Sequence, residues 1–127
     1  MQIAALAAAS LLAVIAVFQI ALALGARWGA GAWGGRYPGR LPARLRVISG
    51  VVALLVYPAL ALVVLEAGGV SSLDWVPEVG EIGMWVLAGL FTFGGLLNFV
   101  SRSRTERMWG PVSLVIAVCC AVIATGF

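Results

Sequence analysis

The stretch Leu90–Pro111, LFTFGGLLNFVSRSRTERMWGP, decides the fold. An apolar run ends at Val100, arginines follow at 102, 104 and 107, and a second apolar run opens at Trp109. Two long apolar segments joined by so short a basic turn read as a transmembrane hairpin. Hydrocarbon cannot hydrogen-bond exposed N–H and C=O groups, so each segment must satisfy its own backbone as a helix. The arginines of the turn then fix which side of the membrane it faces. Gly94, Gly95, Thr92 and Asn98, just before the turn, mark faces where helices meet.

The rest of the chain has the same character. Of 127 residues, 63% are hydrophobic and only 10% charged, with a mean hydropathy of +1.11. A soluble domain is nearly half apolar and about a quarter charged, and it needs a polar surface this sequence lacks. The reading is an all-α, polytopic membrane protein with four transmembrane helices in an up-down bundle. It forms a single domain over residues 1–127, with spans at about 3–24, 47–65, 82–100 and 109–126 at roughly 20 residues per crossing.

Several chemistries are excluded by composition. All eight basic residues are Arg, with no Lys and no His. A Schiff base needs Lys, and the commonest haem, zinc and copper sites need His. The two cysteines, Cys119 and Cys120, are neighbours on a helix about 100° apart and read as packing residues rather than a disulfide. No cofactor and no metal are expected.

Residues 3–24 are interrupted only by Ser10 and Gln19, and lack the basic start of a signal peptide, so they read as a retained span. Ala5, Ala9, Ala13, Ala21 and Gly25 recur at multiples of four, which predicts a smooth face for close helix approach. Residues 25–46, GARWGAGAWGGRYPGRLPARLR, hold five Arg and six Gly and read as a loop at the membrane surface. Trp28, Trp33 and Tyr37 are its headgroup-depth anchors, as are Trp75 in the second loop and Trp109 after the third. Pro42 suits the first position of the second span, with Arg44 and Arg46 snorkelling from its first turn.

In the second span Pro58 removes a backbone hydrogen bond and clashes with the carbonyl four residues back, predicting a kink. The second loop, EAGGVSSLDWVPEVGE (66–81), carries four of the five acidic residues and no basic one. Its spacing does not match an EF-hand. Gly94, Asn98 and Ser101 give the third span a small, polar stripe, and Ser113, Ala117, Ala121 and Thr125 give the fourth one like it. These stripes are expected to face each other or the first helix, with Asn98, Thr92 and Ser113 making interhelical polar contacts.

The runs LLNFVSRSRTERMWGPVSL (96–114) and GGRYPGRLPARLR (34–46) resemble small four-span integral membrane proteins of bacteria with GC-rich genomes. The resemblance implies the same helix count and brings no activity.

Arginines number five in the first loop, none in the second and three in the third. The positive-inside rule then places the first and third loops in the cytoplasm and both termini outside a plasma membrane. No charge lies in the middle of a span, which argues against a proton-coupled pump. The leading functional reading is a non-enzymatic accessory or scaffold subunit that packs with itself or a larger membrane complex. An oligomeric transporter or channel is the alternative, and a lipid-modifying enzyme using Glu106 as base is the third. Membrane lipids are the expected partners and nucleic acid is not. Arg36, Arg40, Arg44, Arg46, Arg102, Arg104 and Arg107 would meet anionic headgroups at ~1 kcal/mol each. The orientation is tested by an impermeant maleimide on intact cells: Ser72→Cys is expected to label and Ser103→Cys to stay unlabelled, and the reverse pattern would invert the topology.

Overall fold

The computed structural model describes residues 1–33 and 35–127. Its helices are α1 (Gln2–Ala23), α2 (Ala43–Val51), α3 (Tyr57–Ala67), α4 (Gly80–Phe99), α5 (Arg104–Arg107) and α6 (Trp109–Ala124). A π-helical segment, Val52–Val56, joins α2 to α3 without a break. Four helical stretches are therefore long and apolar enough to cross a membrane: 2–23, 43–67, 80–99 and 104–124. Two short 3-10 turns, Gly29–Gly31 and Trp33–Gly35, lie in the first loop.

Local chemistry accounts for the element ends. Gly25, at φ +96°, takes the left-handed conformation that closes α1, and Ala26 N–H reaches back to Ala21 O at 2.9 Å. Pro42 caps the second span from outside the helix rather than occupying its first position. Ser103 caps α5: its Oγ accepts from Glu106 N–H at 3.3 Å, the first half of a Ser-x-x-Glu capping box. Pro111 falls in the first turn of α6, where its missing N–H is not needed. Pro58 has the opposite effect, because it lies mid-span. The predicted disturbance is present as the π-helical turn just ahead of it, which widens the helix where the proline ring meets the carbonyl of Leu54.

The spans alternate in direction. Gln2 donates to Gly69 O at 3.3 Å, and Gly126 lies against Met1, so both termini and the second loop share one end. The first and third loops share the other. In cross-section the order is second, first, fourth, third: α2 and α3 pack on α1, α1 packs on α6, and α6 packs along most of α4. The second and third spans meet only marginally, through α3. One core threads the arc, formed by Ala5, Ala8, Leu12 and Ile15 of α1, Val64, Met84, Ala88, and Ile116, Cys120, Ile123 and Ala124 of α6. Burial follows the order: the fourth span is 44% buried over its most apolar stretch, the second and third only 17%.

Two expectations about faces need correction. The buried stripe of α1 is Ala5, Ala8, Leu12, Ile15 and Leu22, whereas Ala13 faces outward. Within the predicted series Ala5 is fully buried, with Gly68 of the second loop pressed against it. The third and fourth spans do pack together, but through Gly95 and Gly110 rather than through Gly94, Asn98 and Ser101. A Cβ on Gly110 would lie 2.9–3.0 Å from the Phe99 ring, and one on Gly95 3.1 Å from Leu114. Ser113 and Ala117 do face inward, but Thr125 is exposed.

Gly110→Val should therefore lower stability in detergent by ~1–3 kcal/mol, because a β-branched side chain must push Phe99 away from a packed crossing. Gly89→Ala, where a Cβ meets nothing within 4 Å, should be neutral or slightly stabilising. Thermal unfolding of the two variants compares them directly.

Candidate functional site

At the end carrying the arginines, the second and third spans diverge and leave a cleft of about 440 Å³. Ile48, Ser49, Val52 and Tyr57 form one wall, and Phe91, Gly94, Leu97 and Asn98 the other. Ile15, Phe18 and Gln19 of α1 with Trp109 and Ser113 of α6 form the floor, and Gly31, Ala32, Trp33 and Glu106 close the top. Because the two walls belong to spans that barely touch, the cleft faces sideways. In a bilayer that direction is lipid.

The top is a packed roof, although the sequence of the first loop is rich in glycine. Leu41 and Leu45 pack with Leu22 of α1, joined by Phe18, Ala32 and Tyr37, in a small second core. Trp28 stacks on Phe18 with ring centroids 6.4 Å apart, and Phe18 also meets Trp109 at 4.9 Å. Ser103 Oγ donates to Ala30 O and ties the first loop to the third. Gly31 admits no side chain: a Cβ would lie 2.9 Å from Phe18 and 3.0 Å from Thr105. Trp33 is held at φ +54°, a left-handed conformation costing ~1–2 kcal/mol for a residue with a Cβ. It is maintained in the segment that covers the cleft.

Polar groups collect on this lining. Gln19, Asn98, Ser113 and Glu106, from three different spans and the third loop, share one surface. Two further groups stand out because they are buried and have no hydrogen-bond partner: Ser49 Oγ, on a residue 2% exposed, and Trp109 Nε1. An unpartnered buried donor ordinarily costs ~1–3 kcal/mol. No arginine lines the cleft among the described residues.

The residues proposed from sequence are therefore divided. Asn98 and Ser113 face the cleft, whereas Thr92 donates to Ala88 O at 2.7 Å within its own helix and makes no interhelical bond through that proton. Trp109, assigned as a surface anchor, turns inward onto Phe18 because α6 begins directly beneath the first loop. Trp28 and Trp75 are exposed, Trp33 is partly exposed and reaches the cleft, and Tyr37 is built into the roof.

The arginines belong to the first and third loops, at the same end as the cleft, and none is on its lining among the described residues. Arg36, Arg40, Arg44, Arg102 and Arg104 are exposed. Arg46 and Arg107 have structural partners: Arg46 Nε donates to Ala23 O at 3.1 Å and Arg107 Nη1 to Ser101 O at 3.0 Å. These carbonyls end α1 and follow α4, so each guanidinium sits at the negative end of a helix dipole and satisfies a carbonyl the helix leaves free.

No three His, Cys, Asp or Glu side chains converge among the described residues. Comparison with protein-family models, with curated proteins and with solved structures returns no match. For the arginines, Arg46→Met should lower stability in detergent by ~1 kcal/mol, since a part-buried carbonyl loses its donor. Arg44→Met, on an exposed position one residue from the roof, should change it by less than ~0.5 kcal/mol.

Proposed function

We propose that the chain is a non-enzymatic accessory membrane protein that works by association, holding a component of the bilayer in the cleft between its second and third spans. The observation that carries this reading is the shape of the arc. Its two end spans stand apart at one end, beneath a packed roof, over a lining that is mostly apolar with polar side chains spaced around it. A volume of about 440 Å³ is in the range of small-ligand sites, which run at roughly 300–1,000 Å³. Lateral access suits a guest already dissolved in lipid.

The arginine belt supports a setting for this site at an anionic surface, with both Arg-bearing loops on the cytoplasmic side of a plasma membrane. The exposed Arg36, Arg40, Arg44, Arg102 and Arg104 are the ones available to headgroups. Transport by a single copy has less support. Below the cleft, Leu12, Met84, Ile116 and Cys120 are fully buried and fill the bundle, so the polar lining does not continue toward the acidic end.

Gly94 offers a direct test, because it lines the cleft and a Cβ there would meet nothing within 4 Å. Gly94→Leu should fill the space from the third span while leaving the fold intact. Gently extracted wild-type protein should carry an amphiphile detectable by native mass spectrometry, and Gly94→Leu should lose it at unchanged or higher thermal stability. Equal retention by both would overturn the cleft as the site of association.

A further inference from the structure

From the two unpartnered donors we infer that the cleft recognises a carbonyl oxygen carried on an apolar body. The inference rests on the proposal that the cleft holds an amphiphile and adds the chemistry of its polar handle. Ser49, on the second-span wall, and Trp109, on the floor, both line the cleft, and neither Oγ nor Nε1 has a hydrogen-bond partner. The indole N–H can only donate, so what completes it must be an acceptor. A serine on a helix commonly bonds the carbonyl four residues back, and Ser49 does not, so its hydroxyl is also available to donate.

The acceptor is uncharged. Glu106 is the only charged side chain on the lining among the described residues, and the arginines lie outside it. A phosphate or carboxylate drawn between these walls would lose its hydration and find no guanidinium on the lining to replace it. Ile15, Phe18, Val52 and Phe91 around the donors suit hydrocarbon or a flat ring. In a bilayer this chemistry comes from two sources: the ester carbonyl of a glycerolipid, whose headgroup would stay outside among the arginines, and the ring carbonyl of a lipid-soluble quinone. Both bring one neutral acceptor at the end of an apolar chain.

The test uses the full chain in nanodiscs made from ether-linked lipid, which has no ester carbonyl, titrated separately with decylubiquinone and with a short-chain diacylglycerol. The indole N–H resonance of Trp109, assigned by its loss in Trp109→Phe, should shift downfield with at least one probe. That probe should bind at least tenfold more weakly to Ser49→Ala and to Trp109→Phe, and equally well to Trp75→Phe. Which probe acts identifies the source. A decylbenzene control without a carbonyl should bind weakly and be indifferent to both substitutions. If a carbonyl probe binds but Ser49→Ala and Trp109→Phe hold it as well as wild type does, the carbonyl inference fails while the cleft as a binding site stands. If neither carbonyl probe moves the Trp109 resonance, the inference fails. Loss of amphiphile binding altogether, with Gly94→Leu indistinguishable from wild type, removes the underlying site as well.

Discussion

The third and fourth spans have only the few residues between Phe99 and Trp109 in which to reverse, and the rest of the arrangement depends on that constraint. So short a connection holds α4 and α6 side by side, and Gly95 and Gly110 let them approach until Leu114 and Phe99 fill the remaining space. The fourth span thereby takes the middle of the bundle, with α4 on one flank and α1 on the other. The second span, tied to α1 through the first loop, is left on the far side of α1. A closed ring would require α2 to meet α4, and α6 together with α1 holds them apart. The cleft is what this leaves.

Membrane solvent makes such an opening tolerable. In water, an unclosed arc would expose apolar walls at a cost of ~25 cal/mol per Å². In lipid the same walls lose little, because the bilayer is as apolar as they are. The cost is concentrated instead in polar atoms such as Ser49 Oγ and Trp109 Nε1, which neither lipid nor the protein satisfies. Apolar packing along α6 maintains the bundle, while Ser49 Oγ and Trp109 Nε1 on the open side have no partner among the described residues. The arginines divide as well, with Arg46 and Arg107 satisfying carbonyls at helix ends and the others making no such contact among the described residues.

Helix number and alternation were legible from hydropathy and from the arginine counts, since both follow from the thickness and dielectric of the bilayer and need no knowledge of packing. The disturbance at Pro58 was legible because the imino ring forces it. Which face of each helix turns inward was not. Alanine spacing pointed to Ala9, Ala13 and Ala21, but in lipid a small-residue face is no more driven inward than a leucine face, and contact was decided by where Gly68 and α6 fall. The inward turn of Trp109 and the in-helix bond of Thr92 were hidden for the same reason. One signal was available: Ser103-x-x-Glu106 is a helix-capping pattern within the basic turn, and it marks the short α5 that brings Glu106 under the first loop.

The central claim is that the second and third spans stand apart at the arginine-bearing end while the third and fourth are in contact. Cysteine cross-linking in native membranes, with Cys119 and Cys120 replaced by Ala, tests it most directly. Gly95→Cys paired with Leu114→Cys should form a disulfide on mild oxidation. Ile48→Cys paired with Leu97→Cys, across the cleft, should resist oxidation and be joined only by a flexible bis-maleimide long enough to bridge the gap. Ready disulfide formation by the Ile48 and Leu97 pair would show the spans in contact and contradict the open arrangement.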